Sequence, residues 1–421
     1  MKSTNSGYKR PEEMPFLWGA ATAGHQVEGN NIHSDIYALE QITPSVFKEK
    51  SNLACNSYAL WETDLDLVKQ LGLNCYRFSI EWSRIEPQPN QYSEEAIQHY
   101  VDLISGCYER GLFPLVTLCH FSCPAWFSAQ GGWTTPKASV LFARYCKKVA
   151  ARIASQVPYL ITFNEPNILE VLDSIGLPKH IWTLQNDMLK AAAIQFGSDK
   201  FSCINAMNKE DFDRSTTHLI EGHQIARDIF HSYNPDMKIG FSIAIVDDQA
   251  QGPSSLMESI REKNYGRWLS VADQCDFIGI QNYEKMVWDE HGAVTPPTLS
   301  LRNFSGAWVD ATSLRHCIEY VYEQTGKPLM VTEHGLGTDN DELRHSFLQN
   351  TLYDLQNLSP NIPLLGYIHW TLIDNFEWVS GFSAHFGLFK FDPDTFVRTP
   401  KASAFAFKKW VKSHTKANLT V

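Results

Sequence analysis

Two carboxyl side chains stand directly after apolar runs of the kind that form buried strands. Glu165 and its neighbour Asn164 follow the run PYLITF, and Glu333 follows the run PLMVT. A pair of carboxyl groups at one site suits glycoside hydrolysis, in which one group protonates the leaving oxygen and the other meets the oxocarbenium-like sugar carbon. The reaction needs the two groups in different protonation states at one pH. Desolvation can raise one pKa, while a nearby cation and hydrogen bonds keep the other low.

Other polar side chains stand at or near the ends of similar apolar runs. A single strand-end glutamate could equally cap a helix or join an ion pair. Two of them, with an arginine and a tyrosine at comparable places, make a catalytic site the better interpretation. The candidates beyond the two glutamates are His25, Gln26, Glu28, Arg77, His120, Asn164, Asn282, Tyr283, His334 and Trp370.

The elements that must position these residues follow one repeating pattern. Eight apolar runs cover residues 15–22, 73–80, 113–121, 159–166, 238–245, 276–284, 328–335 and 364–372. Between them, apolar residues three and four positions apart indicate amphipathic helices, for example over 60–71 and 139–153. Such alternation is typical of parallel strands buried on both faces. It predicts an α/β fold, a single (β/α)8 TIM barrel, although an open doubly wound sheet would give the same periodicity.

The chain shows no internal boundary. No linker, charge run or low-complexity stretch divides its 421 residues, so we expect residues 1–421 to form one catalytic domain. The gap from 167 to 237 between two predicted strands is too long for one helix and predicts an insertion, with little helical pattern before about residue 215. In a barrel, the C-terminal ends of the strands meet at one mouth, which would bring the candidate side chains together.

Composition argues against several classes of partner. The formal net charge is −11 and no basic cluster occurs, so we expect no nucleic acid. No apolar run is long enough to span a membrane, and the first residues lack the apolar core of a signal peptide. Nine scattered cysteines, an odd number, predict a reduced, cytoplasmic protein. We expect no metal, because the group Cys119, His120 and Cys123 lacks a fourth ligand, and no cofactor, because no nucleotide-binding glycine loop is present.

At these residues the chain resembles glycoside hydrolase family 1, the β-glucosidase family. TFNEP at 162–166 and VTEHG at 331–335 resemble the family's two catalytic signatures, usually seen as TFNEP and TENG. YRFSIEWSRI at 76–85 and WTLIDNFEW at 370–378 are close to two further signatures. The resemblance spans nearly the whole chain, from FLWGAATAGHQVEG to RTPKAS. Four motifs in the family's order are far more specific than any one pentapeptide.

The resemblance implies a (β/α)8 barrel and a retaining mechanism. Glu165 would be the general acid and then the general base, and Glu333 would be the nucleophile that forms a glycosyl-enzyme. Arg77 and Tyr283 would hold Glu333 ionised and oriented, and Asn164 would bind the sugar 2-hydroxyl. The residues implied to bind the terminal sugar, or glycone, are Gln26, His120, Asn164, Tyr283, Trp370, Glu377 and Trp378.

The resemblance also bears on the substrate. Phospho-β-glycosidases of this family usually carry a small residue at the position of Glu377, and a carboxylate there would repel a phosphate. We therefore expect terminal unphosphorylated β-D-glucosides, with β-galactosides and β-fucosides as further substrates, and the chain does not decide between hydrolysis and transfer to another acceptor. The alternatives are a 6-phospho-β-glycosidase and a non-catalytic sugar-binding protein, which the presence of both glutamates disfavours. The oligomeric state stays open.

Several positions depart from the family's common pattern. Phe121 stands where a tryptophan is common and removes an N–H donor to the glycone. His334 replaces the asparagine after the nucleophile, and His369 stands where an apolar residue is usual. The segment NILEVLDSIGLPKHIW at 167–182 is unlike its counterpart. These changes predict an altered tolerance for the glycone and an unusual site for the leaving group, the aglycone.

Overall fold

A closed ring of eight parallel strands forms the centre of the protein. The computed structural model describes residues 14–414. The strands are β1 (Leu17–Ala21), β2 (Cys75–Ser79), β3 (Phe113–Cys119), β4 (Tyr159–Asn164), β5 (Lys238–Ala244), β6 (Phe277–Asn282), β7 (Leu329–His334) and β8 (Leu364–Trp370). β8 pairs with β1, so the ring closes and its order follows the chain. The predicted (β/α)8 barrel is confirmed, with a strand in each of the eight predicted runs, and the open sheet is excluded.

Helices follow the strands and pack on the outer face of the ring. Their apolar stripes face inward. In the helix Ala138–Ile153, for example, Phe142, Val149 and Ile153 are buried. Side chains cap two of the helices, since Ser93 and Asn340 each accept a hydrogen bond from a first-turn N–H group. Within residues 14–414, no helix is both long and apolar enough to cross a membrane. The outer helices are Ser57–Gln70, Glu94–Glu109, Ala138–Ile153, Phe212–Tyr233, Met257–Arg261 with Arg267–Leu269, Ser313–Thr325, Asp341–Asp354 and Ala402–His414.

The barrel strands are buried on both faces, which explains why their sequences are apolar almost without alternation. The outer faces of the strands share a large core with the helices. Above the inner core, polar side chains enter the barrel, beginning with Arg77, two residues beyond Cys75 on β2. The inner core is formed mainly by Leu17, Cys75, Leu115, Tyr159, Ile161, Phe277, Met330 and Ile368.

Three strands shift register against a neighbour. On β4 the shift against β5 falls between Ile161 and Asn164. On β7 the shift falls just before Glu333, which pairs with Gln281 of β6. A third shift lies near the start of β8. An extra residue of this kind turns the side chain that follows to the other face of the sheet, and it directs Asn164 and Glu333 into the barrel mouth.

The predicted insertion between β4 and its outer helix is confirmed. Residues 165–211 contain two further helices, Ile168–Ser174 and Lys179–Gln195, although the sequence shows little helical pattern there. These helices bury few residues in the main core of the barrel. They share a small core formed by Leu169, Trp182, Met207 and Phe212. The second helix also packs through Met188, Leu189 and Ala192 against the segment that follows β1. The insertion therefore stands beside the mouth of the barrel, directly after Glu165.

Candidate active site

A cavity of about 430 Å³ lies at the C-terminal ends of the barrel strands. Barrels of this type carry their functional groups at that end. Arg77 is fully buried behind the cavity wall and contacts Asn164 and Glu333. Of the ten site residues that the family resemblance implies, the other nine line the cavity itself, so the structure brings these ten together. The nine are Gln26, His120, Asn164, Glu165, Tyr283, Glu333, Trp370, Glu377 and Trp378.

Glu333, at the end of β7, has both carboxyl oxygens engaged. Oε1 accepts a hydrogen bond from the Arg77 guanidinium in a buried ion pair. Oε2 accepts a hydrogen bond from the Tyr283 hydroxyl at 2.7 Å. Burial raises the pKa of Glu333 above its usual value, and the charge of Arg77 and the hydrogen bond from Tyr283 offset part of that rise. Hydrogen bonds to an ionised acceptor are the strong ones, so the contacts with Arg77 and Tyr283 favour the carboxylate form of Glu333.

Arg77 is held in place by partners from three other strands. Its Nε donates to Thr117 Oγ1 at 3.2 Å, and Nη1 donates to the main-chain oxygen of Thr332 at 3.1 Å. Nη2 donates to Asn164 Oδ1 at 2.6 Å. A guanidinium fixed on all sides presents a constant charge and geometry to Glu333. Asn164 Oδ1 already accepts this hydrogen bond from Arg77, so the Nδ2 group of Asn164 is the part of the amide that can donate to a ligand.

Glu165 has a different environment, although it lines the same cavity. Its backbone lies in the left-handed region, with φ of +40°, and its N–H donates to the main-chain oxygen of Ser242 at 2.9 Å. Within residues 14–414 no cation or hydrogen-bond donor contacts its carboxyl group. Burial, followed by the negative charge of Glu333, raises the pKa of Glu165 well above the usual value, against a smaller effect of Arg77. When Glu165 and Glu333 together bind one proton, Glu165 is therefore the group that carries it.

Gln26 and Glu377 form a polar group on another side of the cavity. Gln26 Nε2 lies 3.3 Å from Glu377 Oε2, and Trp370 Nε1 donates to Glu377 Oε1 at 3.1 Å. Burial raises the pKa of Glu377 to about 8. The Glu377 carboxyl is therefore largely protonated at neutral pH. Repulsion of a phosphate by an ionised Glu377 is thus weaker than the sequence alone indicates.

His120, at the end of β3, lies parallel to two indole rings. Its ring centroid is 5.8 Å from that of Trp370 and 6.2 Å from that of Trp378. Burial and the charge of Arg77 lower the pKa of His120 well below the usual value. The imidazole is neutral at physiological pH and offers one donor and one acceptor.

Five buried polar atoms on the cavity wall have no hydrogen-bond partner among the described residues. Leaving such an atom unpaired costs about 1–3 kcal/mol, so native proteins keep few of them. The set mixes donors with acceptors, which matches the several hydroxyl groups of a sugar. The atoms are Gln26 Oε1, His120 Nδ1, Asn164 Nδ2, Asn205 Oδ1 and Gln281 Oε1.

Gln281 is a site residue that the sequence analysis missed. Its Nε2 donates to Asn164 Oδ1 at 2.8 Å. Asn282, which the sequence placed among the candidates, turns away from the cavity, and its Nδ2 donates to the main-chain oxygens of Ile245 and Glu284, both at 3.0 Å. Side chains two apart on a strand share a face. Counting back two positions from Tyr283 would have found Gln281.

His25 and Glu28, two further sequence candidates after β1, belong to the packing around the site rather than to the cavity. His25 Nε2 lies 2.9 Å from Glu40 Oε1, with both side chains fully buried. Glu28 pairs with Arg84 at 2.6 Å. Their partners are thus other protein groups.

Comparison with known proteins places this site in a family. The model of glycosyl hydrolase family 1 matches residues 10–265 and 255–416. The chain belongs to this family. It is a glycoside hydrolase.

Two solved structures and one curated sequence illustrate the family 1 relationship. An apo β-glucosidase shares 33% identity with a TM-score of 0.92, and covers 96% of this chain and 100% of its own. A β-glycosidase shares 34% identity with a TM-score of 0.90, and covers 97% and 99%. The β-glucosidase of Agrobacterium sp. is 28% identical over 448 residues, covering 94% of this chain and 93% of its own.

The enzyme's departures from the common family 1 motifs have defined surroundings. Phe121 packs edge-on against Trp378, with ring centroids 5.3 Å apart. His334 Nδ1 lies 2.9 Å from the Tyr367 hydroxyl. Burial lowers the pKa of both His334 and His369 to about 3. Both imidazoles are neutral and add no charge to this part of the barrel.

Proposed function

We propose that the enzyme is a retaining β-glycosidase that hydrolyses terminal unphosphorylated β-D-glucosides, and also β-galactosides and β-fucosides. The contrast between two buried carboxyl groups on one cavity carries the proposal. Glu333 accepts from Arg77 and Tyr283, whereas the pKa of Glu165 is raised and its carboxyl has no cation partner within residues 14–414. Retaining enzymes need such a nucleophile and such an acid, roughly 5–5.5 Å apart. Relatives named β-glucosidases support the choice of glucosides.

The proposed reaction has two steps. In the first, the Glu165 carboxyl gives its proton to the glycosidic oxygen while a Glu333 oxygen attacks the anomeric carbon. The bond to the leaving alcohol breaks, and an ester joins the sugar to Glu333. In the second, the Glu165 carboxylate takes a proton from water, and the water oxygen displaces Glu333. Two inversions at one carbon give net retention.

The charges of the site favour this change of role. While Glu333 is ionised, its negative charge helps to raise the pKa of Glu165 and keeps the acid protonated. Once Glu333 is esterified that charge is gone, so the pKa of Glu165 falls. Glu165 is then a carboxylate at the pH at which it was an acid, as the second step requires.

We propose that the glycone occupies the end of the cavity formed by β1, β3 and β8. Asn164 Nδ2 would donate to the 2-hydroxyl, and His120 would bind a neighbouring hydroxyl. Gln26 and Glu377 would hold the distal hydroxyl groups over the Trp370 ring, as supported by the unpartnered Gln26 Oε1. Tyr283 and Trp378 complete the set. Hydroxyl donors to Glu377 would stabilise its ionised form, so glycone binding should release a proton near neutral pH.

The plot of kcat/KM against pH should be bell-shaped. kcat/KM rises as Glu333 ionises and falls as Glu165 loses its proton. Because the pKa of Glu165 is raised, the falling limb should lie above the ordinary carboxyl range of about 4.3. Initial rates on 4-nitrophenyl β-D-glucoside across the stable pH range measure both limbs. A profile without a falling limb would contradict the acid role.

Tyr283→Phe should lower kcat about tenfold to a hundredfold, because a hydrogen bond to a charged group contributes about 1.5–3 kcal/mol. Without the Tyr283 donor the pKa of Glu333 rises, so the acidic limb of the pH profile should move to higher pH. Tyr108→Phe is a matched control, because the Tyr108 hydroxyl donates to the main-chain oxygen of Gln156 among the outer elements. Equal pH profiles for the two variants would refute the orienting role of Tyr283.

A panel of 4-nitrophenyl glycosides tests the proposed function. The panel holds α- and β-linked gluco, galacto, fuco, manno and 6-phospho-gluco sugars. We expect turnover of β-linked unphosphorylated sugars alone, because no Lys or Arg is among the described residues that line the cavity to neutralise a phosphate. Preference for the 6-phospho sugar would identify a phospho-β-glycosidase. Silence across the panel from folded protein would indicate a sugar-binding protein.

We also propose that the enzyme works in the cytoplasm. All nine cysteines are free and buried, which suits a reducing compartment. A human relative, 27% identical over 95% of this chain and 97% of its own, is named a cytosolic β-glucosidase. Transfer of the sugar to an alcohol would use the same ester of Glu333, with the alcohol in place of water.

A further inference from the structure

One wall of the cavity is lined by aliphatic side chains at helical spacing. The helix Ile168–Ser174, here called the wall helix, contributes Ile168, Val171 and Leu172, and Ile175 follows at its end. Separations of three, four and seven residues place these side chains on one face of the helix. A concave group of apolar side chains facing a cavity indicates a site for an apolar ligand. The same wall continues with Ala244, the last residue of β5, and with Ile245 and Val246 directly after it.

The wall stands opposite the polar end of the cavity. In the ring, β4 and β5 are neighbours; β4 lies directly across from β8, and β5 lies directly across from β1. The wall is formed by residues at and after the ends of β4 and β5. On the other side, Trp370 ends β8, Glu377 follows β8, and Gln26 follows β1. Glu165, between β4 and the wall helix, lies at the border. A glycoside whose sugar fills the polar end therefore directs its leaving group past Glu165 toward the wall.

Hydrogen bonds hold both ends of the wall helix against neighbouring segments. Asn167 Nδ2 donates to the main-chain oxygen of Ala244 at 2.8 Å, and Asn167 Oδ1 accepts from the Ala244 N–H at 3.0 Å. At the other end of the helix, Ser174 Oγ donates to Asn264 Oδ1 at 2.7 Å. A surface that is already ordered loses little conformational entropy on binding, which favours affinity.

The polar side chains that share this outer part of the cavity are largely engaged with one another. Asn303 Nδ2 donates to Glu284 Oε1 at 3.2 Å. Asn303 Oδ1 accepts from the N–H and the hydroxyl of Ser305, at 3.0 and 2.7 Å. Asn205 Oδ1 is unpartnered and could accept from one hydroxyl. A second sugar would bring several hydroxyl groups to a surface with few unengaged partners, and each unpaired group opposes binding.

We propose that the wall is an aglycone subsite for apolar alcohols, so the preferred substrates are β-glycosides of alkanols rather than disaccharides. The proposal rests on the proposed β-glycosidase function and names the leaving group that the same site accepts. It assigns the specificity to Ile168, Leu172 and Ile175, which line the cavity.

A series of n-alkyl β-D-glucosides from ethyl to octyl tests the subsite, with glucose release as the readout. The sugar and the acidity of the leaving alcohol stay nearly constant along the series, while the apolar surface grows. kcat/KM should rise about fourfold for each methylene that reaches the wall, since burying one contributes about 0.8 kcal/mol. The longer members should be better substrates than cellobiose.

Leu172→Asn places a polar side chain of similar size in the wall. It should lower kcat/KM for hexyl glucoside about fivefold to tenfold more than for ethyl glucoside, since the apolar surface is removed. Ile175→Asn should also lower kcat/KM for hexyl glucoside more than for ethyl glucoside. It replaces Leu172→Asn in the test if circular dichroism shows that Leu172→Asn folds poorly. Leu177→Asn is the matched control, because Leu177 packs on the same small core as Leu172 and does not line the cavity. It should leave the chain-length dependence unchanged.

The outcomes separate this inference from the proposed function. A wild-type series that does not rise with chain length, or a slope that the Leu172 and Leu177 variants change equally, would overturn the subsite. Turnover of 4-nitrophenyl β-D-glucoside in the same assays would then leave the β-glycosidase function standing. Absence of that turnover from folded enzyme would overturn both.

Discussion

Glu333→Ala should abolish turnover of β-glucosides, with kcat lowered roughly 10⁵–10⁶-fold, the scale on which removal of a nucleophile acts. The variant lacks the atom that forms the sugar ester, and the acid alone cannot complete a double displacement. It also leaves Arg77 buried without its carboxylate partner. Breaking such a pair destabilises a protein by about 3–5 kcal/mol, so folding is verified by circular dichroism before rates are compared.

Azide should restore part of the lost activity of Glu333→Ala. The space left by the side chain admits a small anion, which attacks the anomeric carbon directly. One displacement inverts the configuration, so 2,4-dinitrophenyl β-D-glucoside should give the α-glucosyl azide. The product is assigned by proton NMR. No rescue, or a β-azide from this variant, would refute the nucleophile assignment.

Glu165→Ala should slow substrates in proportion to their need for an acid. Alkyl glucosides should lose about 10²–10⁴-fold in kcat/KM, the range attributed to general acid–base catalysis. 2,4-Dinitrophenyl β-D-glucoside should lose far less in this parameter, because its leaving group departs as a stable anion. The ratio of the two kcat/KM values is therefore the measurement. Equal losses on both substrates would argue against an acid at position 165.

Azide also separates the two glutamates. In Glu165→Ala the ester on Glu333 still forms, and azide attacks it without a general base. Two displacements give the β-glucosyl azide, the opposite anomer to that from Glu333→Ala. Glu170→Ala is a matched control on the wall helix, since the Glu170 carboxyl accepts from Thr216 Oγ1 and does not line the cavity. It should leave the ratio between substrates unchanged and give no azide product beyond that of the wild type.

The barrel could be predicted because parallel strands buried on both faces leave a nearly continuous apolar sequence. Glu165 and Glu333 were visible for the same reason, since each interrupts such a run where the strand ends. The two glutamates lie close together because the C-terminal ends of all the strands of a barrel surround one mouth. The eight strands differ from the predicted runs only by a few residues at their ends.

The register shifts could not be predicted from local sequence. Strict alternation from the inward-facing Ile161 would place Phe163 inside the barrel and Asn164 outside. The structure has the reverse: Phe163 packs in the outer core and Asn164 lines the cavity. The shift is defined by pairing with β5, more than 70 residues farther along the chain. The sequence of one strand does not show in which register it pairs with a strand that is distant along the chain.

The wall helix and the pKa of Glu377 were missed for different physical reasons. The wall helix is a seven-residue element whose apolar face meets the cavity as well as the edge of the main core, so its pattern is too short to indicate a helix. The raised pKa of Glu377 depends on complete burial. Sequence alone gives the presence of a carboxyl group and not its desolvation.

Trapping of the covalent intermediate tests the central claim most directly. A 2,4-dinitrophenyl 2-deoxy-2-fluoro-β-D-glucoside slows the second step, because fluorine at C2 destabilises the oxocarbenium-like transition state while the good leaving group still departs. Peptide mapping by mass spectrometry then locates the sugar. We expect one sugar per protein, on the peptide that contains Glu333, with slow recovery of activity as the ester hydrolyses. A label on any other residue, or turnover without a covalent adduct and with inverted product, would contradict the account.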